Sequence, residues 1–208
     1  WLNNQIKNIK NKKNLIIKHR TSLAAYHSYN YLLARENLAD HKSLDKRLNK
    51  LRQRLWKIRA KKVILATGAI ERPLIFNNND RPGVMLANSV KKYIDYFGVR
   101  CGNKNVIFTN NDSAYETAIS LNKKGINVSI VDIRNNSSSM LVKNAKDAGI
   151  KIYWNHTVVN TKGYRRIKSI QIMEMSEDGT NVIGSKINLD CDNLSISGGW
   201  TPMVHLFT

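Results

Sequence analysis

The sequence predicts an α/β fold organised around a parallel, doubly wound sheet, and three observations predict it. Val63-Ile64-Leu65 is a continuous apolar run, the pattern of a strand covered on both faces, and it ends in the small residues Ala66-Thr67-Gly68-Ala69. From Leu86 to Trp154, helical and strand periodicities alternate as β-α-β-α-β, an order that right-handed crossovers wind into a parallel sheet. A second glycine-bearing strand end, Ser197-Gly198-Gly199, follows about 130 residues after the first, as expected where one domain is interrupted by another.

Leu2, Ile6 and Ile9 recur at helical spacing, and Leu15-Ile16-Ile17 reads as a short strand leading into Thr21-Ser22-Leu23. Residues 26–35 and 51–59 supply further strands, separated by the polar stretch 36–50, and a small antiparallel meander accommodates them. Alternation over 56–62 puts Lys57, Arg59 and Lys61 on one face and Trp56, Ile58 and Ala60 on the other, a solvated strand face. Residues 77–83, rich in Asn with a Pro-Gly end, mark a loop and a domain boundary. Leu86, Val90, Tyr93, Ile94 and Phe97 predict a helix stopped by Gly98. Strands at 105–108, 127–131 and 150–154 then alternate with helices at 113–122 and 140–148. Short alternating strands over 156–189 turn at Lys162-Gly163 and Asp178-Gly179, and Leu194-Ser195-Ile196 is the last strand before the glycines.

The 208 residues are 42 % hydrophobic, too apolar for intrinsic disorder, and no apolar run reaches the ~18 residues of a membrane helix. Lys and Arg number 34 against 15 Asp and Glu, a net charge of +19, and residues 1–62 hold 17 basic and 3 acidic of these. Such a skew raises nucleic-acid binding as a possibility, but no arginine-rich helix, zinc finger, RRM or KH signature accompanies it. A general abundance of Asn, Lys and Ile accounts for the charge without an acidic partner. Cys101 and Cys191 have neither metal nor disulfide spacing, which fits a reducing compartment and leaves the metal-ligand set empty. The chain begins at Trp1 without a signal peptide and stops within an apolar stretch, so an internal fragment of a cytoplasmic protein is expected.

Chemistry concentrates at the strand ends, because ligands of open α/β sheets bind beyond the carboxyl ends of the strands, where small residues let backbone approach a cofactor. Ala66, Thr67 and Gly68 form one such end and Gly198 and Gly199 another; together they are expected to flank one ligand. In the inserted unit, Thr109-Asn110-Asn111-Asp112-Ser113 stands where a G-x-G-x-x-G turn would lie, with every fingerprint glycine missing and Asp112 placed against a phosphate. Asp132, about 20 residues on, matches a ribose-binding acid by position, but with no phosphate cradle a strand-end cap accounts for it better. The inserted unit is therefore expected to keep the fold and bind no dinucleotide. His19, His27, His41, His156 and His205 pair with no Ser or Cys at diagnostic spacing, so no catalytic residue is assigned.

Several segments together resemble the alpha subunit of heterotetrameric sarcosine oxidase: Arg52-Gln53-Arg54-Leu55-Trp56-Lys57-Ile58-Arg59-Ala60, the run from Val63 through Ala66-Thr67-Gly68 to Glu71-Arg72-Pro73, Asn79-Asp80-Arg81-Pro82-Gly83-Val84-Met85-Leu86, Asn111-Asp112-Ser113-Ala114-Tyr115-Glu116, and Ser197-Gly198-Gly199-Trp200-Thr201-Pro202. Alpha subunits of opine-, proline- or cyanide-type FAD-dependent dehydrogenases share parts of this pattern. The resemblance implies an FAD/NAD(P)-binding, glutathione-reductase-like fold with two dinucleotide domains, the first Rossmann motif truncated. It divides the chain into 1–79, part of an NAD-binding domain with its meander, 80–170, an inserted degenerate Rossmann-like domain, and 171–208, a return to the first. It further implies NAD in this subunit, FAD on the beta subunit, FMN at the alpha/beta boundary and a tetrahydrofolate site downstream. Beta, gamma and delta subunits are the implied partners, with no nucleic acid and no membrane. The implied reaction demethylates sarcosine to glycine with oxygen, giving hydrogen peroxide and methylene-tetrahydrofolate.

By position, Thr21, Ser22 and above all Leu23 resemble the segment that meets the adenine half of NAD, while Thr201, Leu206 and Thr208 match the stretch closing over the other half. Ala66, Thr67 and Gly68 would line the site through backbone. The phosphate-binding glycine motif is expected outside residues 1–208, so these residues alone should bind NAD weakly or not at all. Titration calorimetry of the isolated chain with NAD checks this, tight binding being the contrary result.

Overall fold

The computed structural model describes residues 2–10 and 12–206, with backbone alone for Leu2, Asn3 and Arg47. It divides into two compact units: the chain up to Gly68 together with the residues from Met203 onward, and Ala69–Pro202. The sequence places boundaries near 79/80 and 170/171. The units instead change at 68/69 and 202/203, because residues 69–71 and 200–202 pair with each other and hold both flanks in the second unit.

The first unit contains helix α1 (Leu2–Lys10), strands β1 (Thr21–His27) and β2 (Tyr31–Asn37), a single helical turn α2 (Leu44–Arg47) and strand β3 (Gln53–Arg59). β1, β2 and β3 form the expected antiparallel meander, with Leu23 opposite Ala34 and Ala34 opposite Trp56. Alternation along β2 buries Leu32 and Ala34 on one face. Sequence periodicity runs a strand through 26–35, whereas the chain turns at Tyr29 and Asn30, both left-handed at φ 60° and 54°. A tyrosine at the first central position of such a turn hides it, since Asn-Gly or Asp-Gly is the usual signal.

Two predicted strands are absent. Residues 15–17 and 63–65 join no ladder among the described residues, and Ile16 and Ile64 stand 83 % and 91 % exposed. Their apolar runs have the composition of buried parallel strands, but a strand forms only against a hydrogen-bonding neighbour.

The second unit contains β4 (Ala69–Glu71), β5 (Val84–Leu86), α3 (Ala87–Tyr96), β6 (Lys104–Thr109), α4 (Ala114–Lys123), β7 (Asn127–Asp132), α5 (Met140–Asp147), β8 (Lys151–Trp154), β9 (His156–Lys162), β10 (Ser169–Met175), β11 (Val182–Asp190), β12 (Asn193–Ser197) and β13 (Trp200–Pro202). Five of these strands make a wholly parallel sheet in the order β5-β12-β6-β7-β8. Ile107 and Ile130 pack with Tyr115, Ala118, Leu121 and Val142 of the helices on one face. Their strand neighbours Val106, Phe108 and Val131 point the other way, onto Val158, Ile170 and Ile172 of β9 and β10. Helices thus cover one face and the antiparallel sheet β9-β10-β11 the other, where a doubly wound sheet would carry helices on both.

β12 lies between β5 and β6, and a buried amide cluster fixes its register. Asn105 Nδ2 donates to Asn193 Oδ1 at 2.5 Å, the Ser195 hydroxyl is 3.1 Å from both amide oxygens, and Asn193 Nδ2 donates to the Gly83 carbonyl at 3.1 Å. Asn193→Ala leaves Asn105 and Ser195 without this partner in a buried site. The expected loss is about 1–3 kcal/mol, read as a lower urea midpoint with an unchanged slope.

Candidate dinucleotide site and the bridged crevice

The carboxyl ends of β6 and β12 mark where strand order reverses in the parallel sheet, the position at which such sheets take ligands. Here the chain's own side chains span it. Asn111, in the turn after β6, donates from Nδ2 to the carbonyl and hydroxyl oxygens of Ser197 at 3.2 and 3.1 Å. Its amide oxygen accepts from the Ser113 backbone and hydroxyl at 3.2 and 2.6 Å. Trp200 closes the ring of contacts, its indole N–H donating to the Ser113 hydroxyl at 2.9 Å. Two of the turn's backbone amides are spent within it, Asn111 N–H on the Thr109 hydroxyl at 3.0 Å and Ser113 N–H on Asn111 Oδ1 at 3.2 Å, where the missing glycines would leave amides open to a pyrophosphate.

The position of the ribose acid is equally committed. Asp132 is fully buried and accepts from the Tyr115 hydroxyl at 2.7 Å, from the Arg134 backbone at 3.0 Å and from the Arg134 guanidinium at 3.0 and 2.8 Å. The Arg134 backbone bond two residues on is the strand-end cap. Arg134 also reaches Asp112 at 2.8 Å, and the Ser137 hydroxyl donates to Asp112 at 2.9 Å. Burial alone would raise the Asp112 carboxyl, but Arg134 and Ser137 outweigh it and hold it below the usual range. The Tyr115 phenol is pushed well above its usual value by burial, reinforced by Asp132. The carboxylate that repels a phosphate in sequence is here a tie for the loop after β7.

Glu71, next to the second glycine end, is buried. Its Oε2 accepts from the Asn88 backbone at 2.8 Å, an N–H in the first turn of α3. Burial raises its carboxyl, opposed by that N–H and by the Ser197 hydroxyl. β4 and β13 pair antiparallel beside it, extended by Gly198 N–H to Arg72 O at 2.7 Å and Arg72 N–H to Gly199 O at 2.8 Å. A Cβ on Gly198 would meet the Pro73 and Arg72 carbonyls at 3.0 and 3.2 Å, so this glycine is needed for a close backbone approach.

The predicted site residues divide between the units. Thr21, Ser22, Leu23, Ala66, Thr67, Gly68 and Leu206 lie in the first, Gly198, Gly199 and Thr201 in the second, and Thr208 outside the described residues. In the first unit Leu23 and Leu206 are half-buried, Ser22 and residues 66–68 are exposed, and the Thr21 hydroxyl donates to the His19 carbonyl at 3.0 Å. Thr67 donates to the Met203 carbonyl at 2.5 Å and the Met203 N–H to Gly68 O at 2.9 Å, so this segment is tied to Met203 with Gly68 left-handed at φ 78°. Residues 66–68 are thus an exposed segment and not the strand end the sequence predicts, because 63–65 has no ladder partner among the described residues.

Comparison with known proteins bears on both units. The chain is 37 % identical over 187 residues, 90 % of its length, to a protein of Corynebacterium sp. (strain U-96) named sarcosine oxidase subunit alpha. It is 37 % identical over 161 residues, 74 % of its length, to a Rhizobium meliloti (strain 1021) protein of the same name. The chain belongs to the sarcosine oxidase alpha-subunit family. It spans 19 % and 14 % of those two relatives. No family model matches it. Among solved structures, Lactococcus lactis thioredoxin reductase superposes with a TM-score of 0.58 at 18 % identity, over 88 % of this chain and 54 % of that one. The fold of this sarcosine oxidase alpha-family chain is therefore that of the FAD/NAD(P)-binding oxidoreductases. No helix among the described residues is long and apolar enough to cross a membrane, and no group of metal-ligating side chains assembles among them.

Sequence reasoning missed Asn111, Trp200, Arg134 and Glu71 as the residues that organise the crevice. Arg134 carried a signal, since an arginine two positions after a strand-end aspartate can fold back on it. The pairing of Trp200 with Ser113 carried none. Because the folded Glu71 carboxyl lies above its ordinary 4.5, its contribution is full below that pH and is lost as pH rises through the folded value. Glu71→Gln keeps an acceptor for Asn88 without the buried charge. The melting temperature of the variant should therefore gain on that of the parent as pH is raised from 4 toward neutrality, an equal gap at all pH being the contrary result.

Proposed function

We propose that this chain is the NAD-binding portion of a sarcosine oxidase alpha subunit, with NAD held in the first unit and the inserted domain serving as scaffold. The observation that carries the reading is the likeness over 90 % of the chain to a protein named as that subunit. The bridged crevice supports the second half, because Asn111 and Asp132 are already spent on Ser197, Tyr115 and Arg134. Leu23 would lie against adenine, Thr21 and Ser22 beside it, and residues 66–68 would approach through backbone, with Leu206 and Thr208 from the segment that follows Thr201. Gly198, Gly199 and Thr201, which the sequence assigns to the same coenzyme, belong to the second unit, where the two glycines bond to Arg72 in the ladder beside Glu71.

In the complete oxidase, an oxidoreductase acting on a CH–NH donor, flavin supplies the redox chemistry: sarcosine, oxygen and tetrahydrofolate give glycine, hydrogen peroxide and methylene-tetrahydrofolate. FAD and FMN, the folate site and the beta, gamma and delta subunits belong to that assembly, in the cytoplasm. This chain contributes binding and position, and no acid, base or nucleophile.

Removing an apolar wall from adenine costs about 1–2 kcal/mol, so Leu23→Ala in the full-length subunit should weaken NAD retention by roughly 5- to 30-fold. Asn111→Ala should leave it unchanged. Nucleotide released by heat from each purified complex and quantified by chromatography checks this; loss in the Asn111 variant with retention in the Leu23 variant would place NAD in the inserted domain instead.

A further inference from the structure

We propose that the tip of the β1–β2 hairpin is a protein-docking surface that takes an acidic segment of another subunit, an inference that rests on the chain acting within a multi-subunit oxidase. The tip reads Tyr26-His27-Ser28-Tyr29-Asn30-Tyr31. Tyr, Ser and Asn are the residues that protein-recognition loops concentrate, tyrosine giving a large amphipathic contact with few torsions to freeze and Ser and Asn adaptable hydrogen bonds.

This tip is held rigid without covering its aromatics. The Tyr26 hydroxyl donates to Asn30 Oδ1 at 2.6 Å, Asn30 Nδ2 donates to the Lys61 carbonyl at 3.2 Å, and the Ala60 N–H donates to the Asn30 carbonyl at 3.1 Å. Tyr29 and Asn30 are both left-handed, and asparagine tolerates that conformation where tyrosine does so only at a cost. Tyr29 itself stands 86 % exposed, an aromatic left in water where a turn gains nothing from it and an interface would. A concavity of about 600 Å³ lies between the tip and Arg59. The Arg59 guanidinium sits 5.4 Å from the Tyr31 ring, which in turn lies 5.9 Å from the His27 ring.

Charge chooses the occupant. Arg59 lines the concavity with no carboxylate among the lining residues, and exposed Lys57 stands two positions before it on the same face of β3. A guanidinium already laid on an aromatic ring presents its planar fork to a carboxylate with little left to order. A single-stranded nucleic acid would instead need a track of cations and successive open ring faces, and the face of Tyr31 is taken. A small molecule would need buried walls, while the rim here is exposed Tyr29 and His27.

The test uses the full-length alpha subunit purified with its partner subunits and carrying Tyr29→p-azidophenylalanine. Illumination should join position 29 to another subunit of the purified complex, within a segment of net negative charge identified by mass spectrometry. In the same complex Arg59→Glu should weaken subunit association at least 10-fold and reduce its sensitivity to salt. Cross-linking to RNA, to the alpha chain itself or to a neutral or basic segment, the absence of any photoproduct, or unchanged association of the Arg59 variant each overturns the proposal. Bound NAD is measured alongside: its retention when the cross-link fails leaves the functional reading intact, and its absence in the unmodified complex overturns that reading irrespective of the hairpin.

Discussion

The second unit depends on one insertion, that of β12 between β5 and β6. β5 and β6 both pair with β12 and not with each other, so removing this strand would split the parallel sheet. Backbone groups in a covered sheet have no water to turn to, which makes the ladder obligatory once the faces are packed. The strand comes from far along the chain, yet it brings with it the amide cluster at Asn193, the acceptor for Asn111 at Ser197 and the close backbone approach of Gly198. Position of the crevice, its bridging and the placing of Glu71 all follow from that register.

Two carboxylates near the crevice show how environment divides one chemistry into two roles. Asp112, partly open to solvent, has a guanidinium and a hydroxyl to receive its charge and stays easily ionised. Glu71 is buried with a backbone N–H and a hydroxyl, neutral donors that do not make up for lost hydration. A raised carboxyl is often read as a catalytic acid, but Glu71 is aimed at the first turn of α3 and not at an open pocket. Its perturbation reports a buried helix contact, for which the macrodipole is a partial compensation.

The inserted unit was legible because its period changes are abrupt: α3, α4 and α5 and the strands between them fall within one or two residues of the glycine stops and apolar runs that predict them. The replacement of the glycine turn was legible from Thr109–Ser113 alone, since every residue there carries a side chain where the fingerprint has three glycines. What filled the turn was not legible. Asn111 and Ser197 are 86 positions apart, and nothing in either local pattern names the other. The covering of the second sheet face by β9–β11 was equally hidden, because an alternating strand pattern states that one face is buried and not against what. The hairpin turn at Tyr29 escaped for a further reason: it breaks the rule of turn chemistry that would have revealed it.

The misread runs at 15–17 and 63–65 carry the remaining argument. Their composition is that of strands buried on both faces, and a side chain such as Ile64 gains roughly 1.5–3 kcal/mol on full burial. Left 91 % exposed, Ile64 forgoes nearly all of it, and Ile16 most of it. Natural sheets blunt exposed edges with charge or proline, and neither interrupts Leu15-Ile16-Ile17 or Val63-Ile64-Leu65. Sequence and structure therefore disagree about these six residues in a consistent direction: both segments are written for a ladder that the described residues do not supply. A strand neighbour that pairs with 63–65 would bury Ile64 and turn the exposed segment before Ala66-Thr67-Gly68 into the strand end that the apolar run predicts.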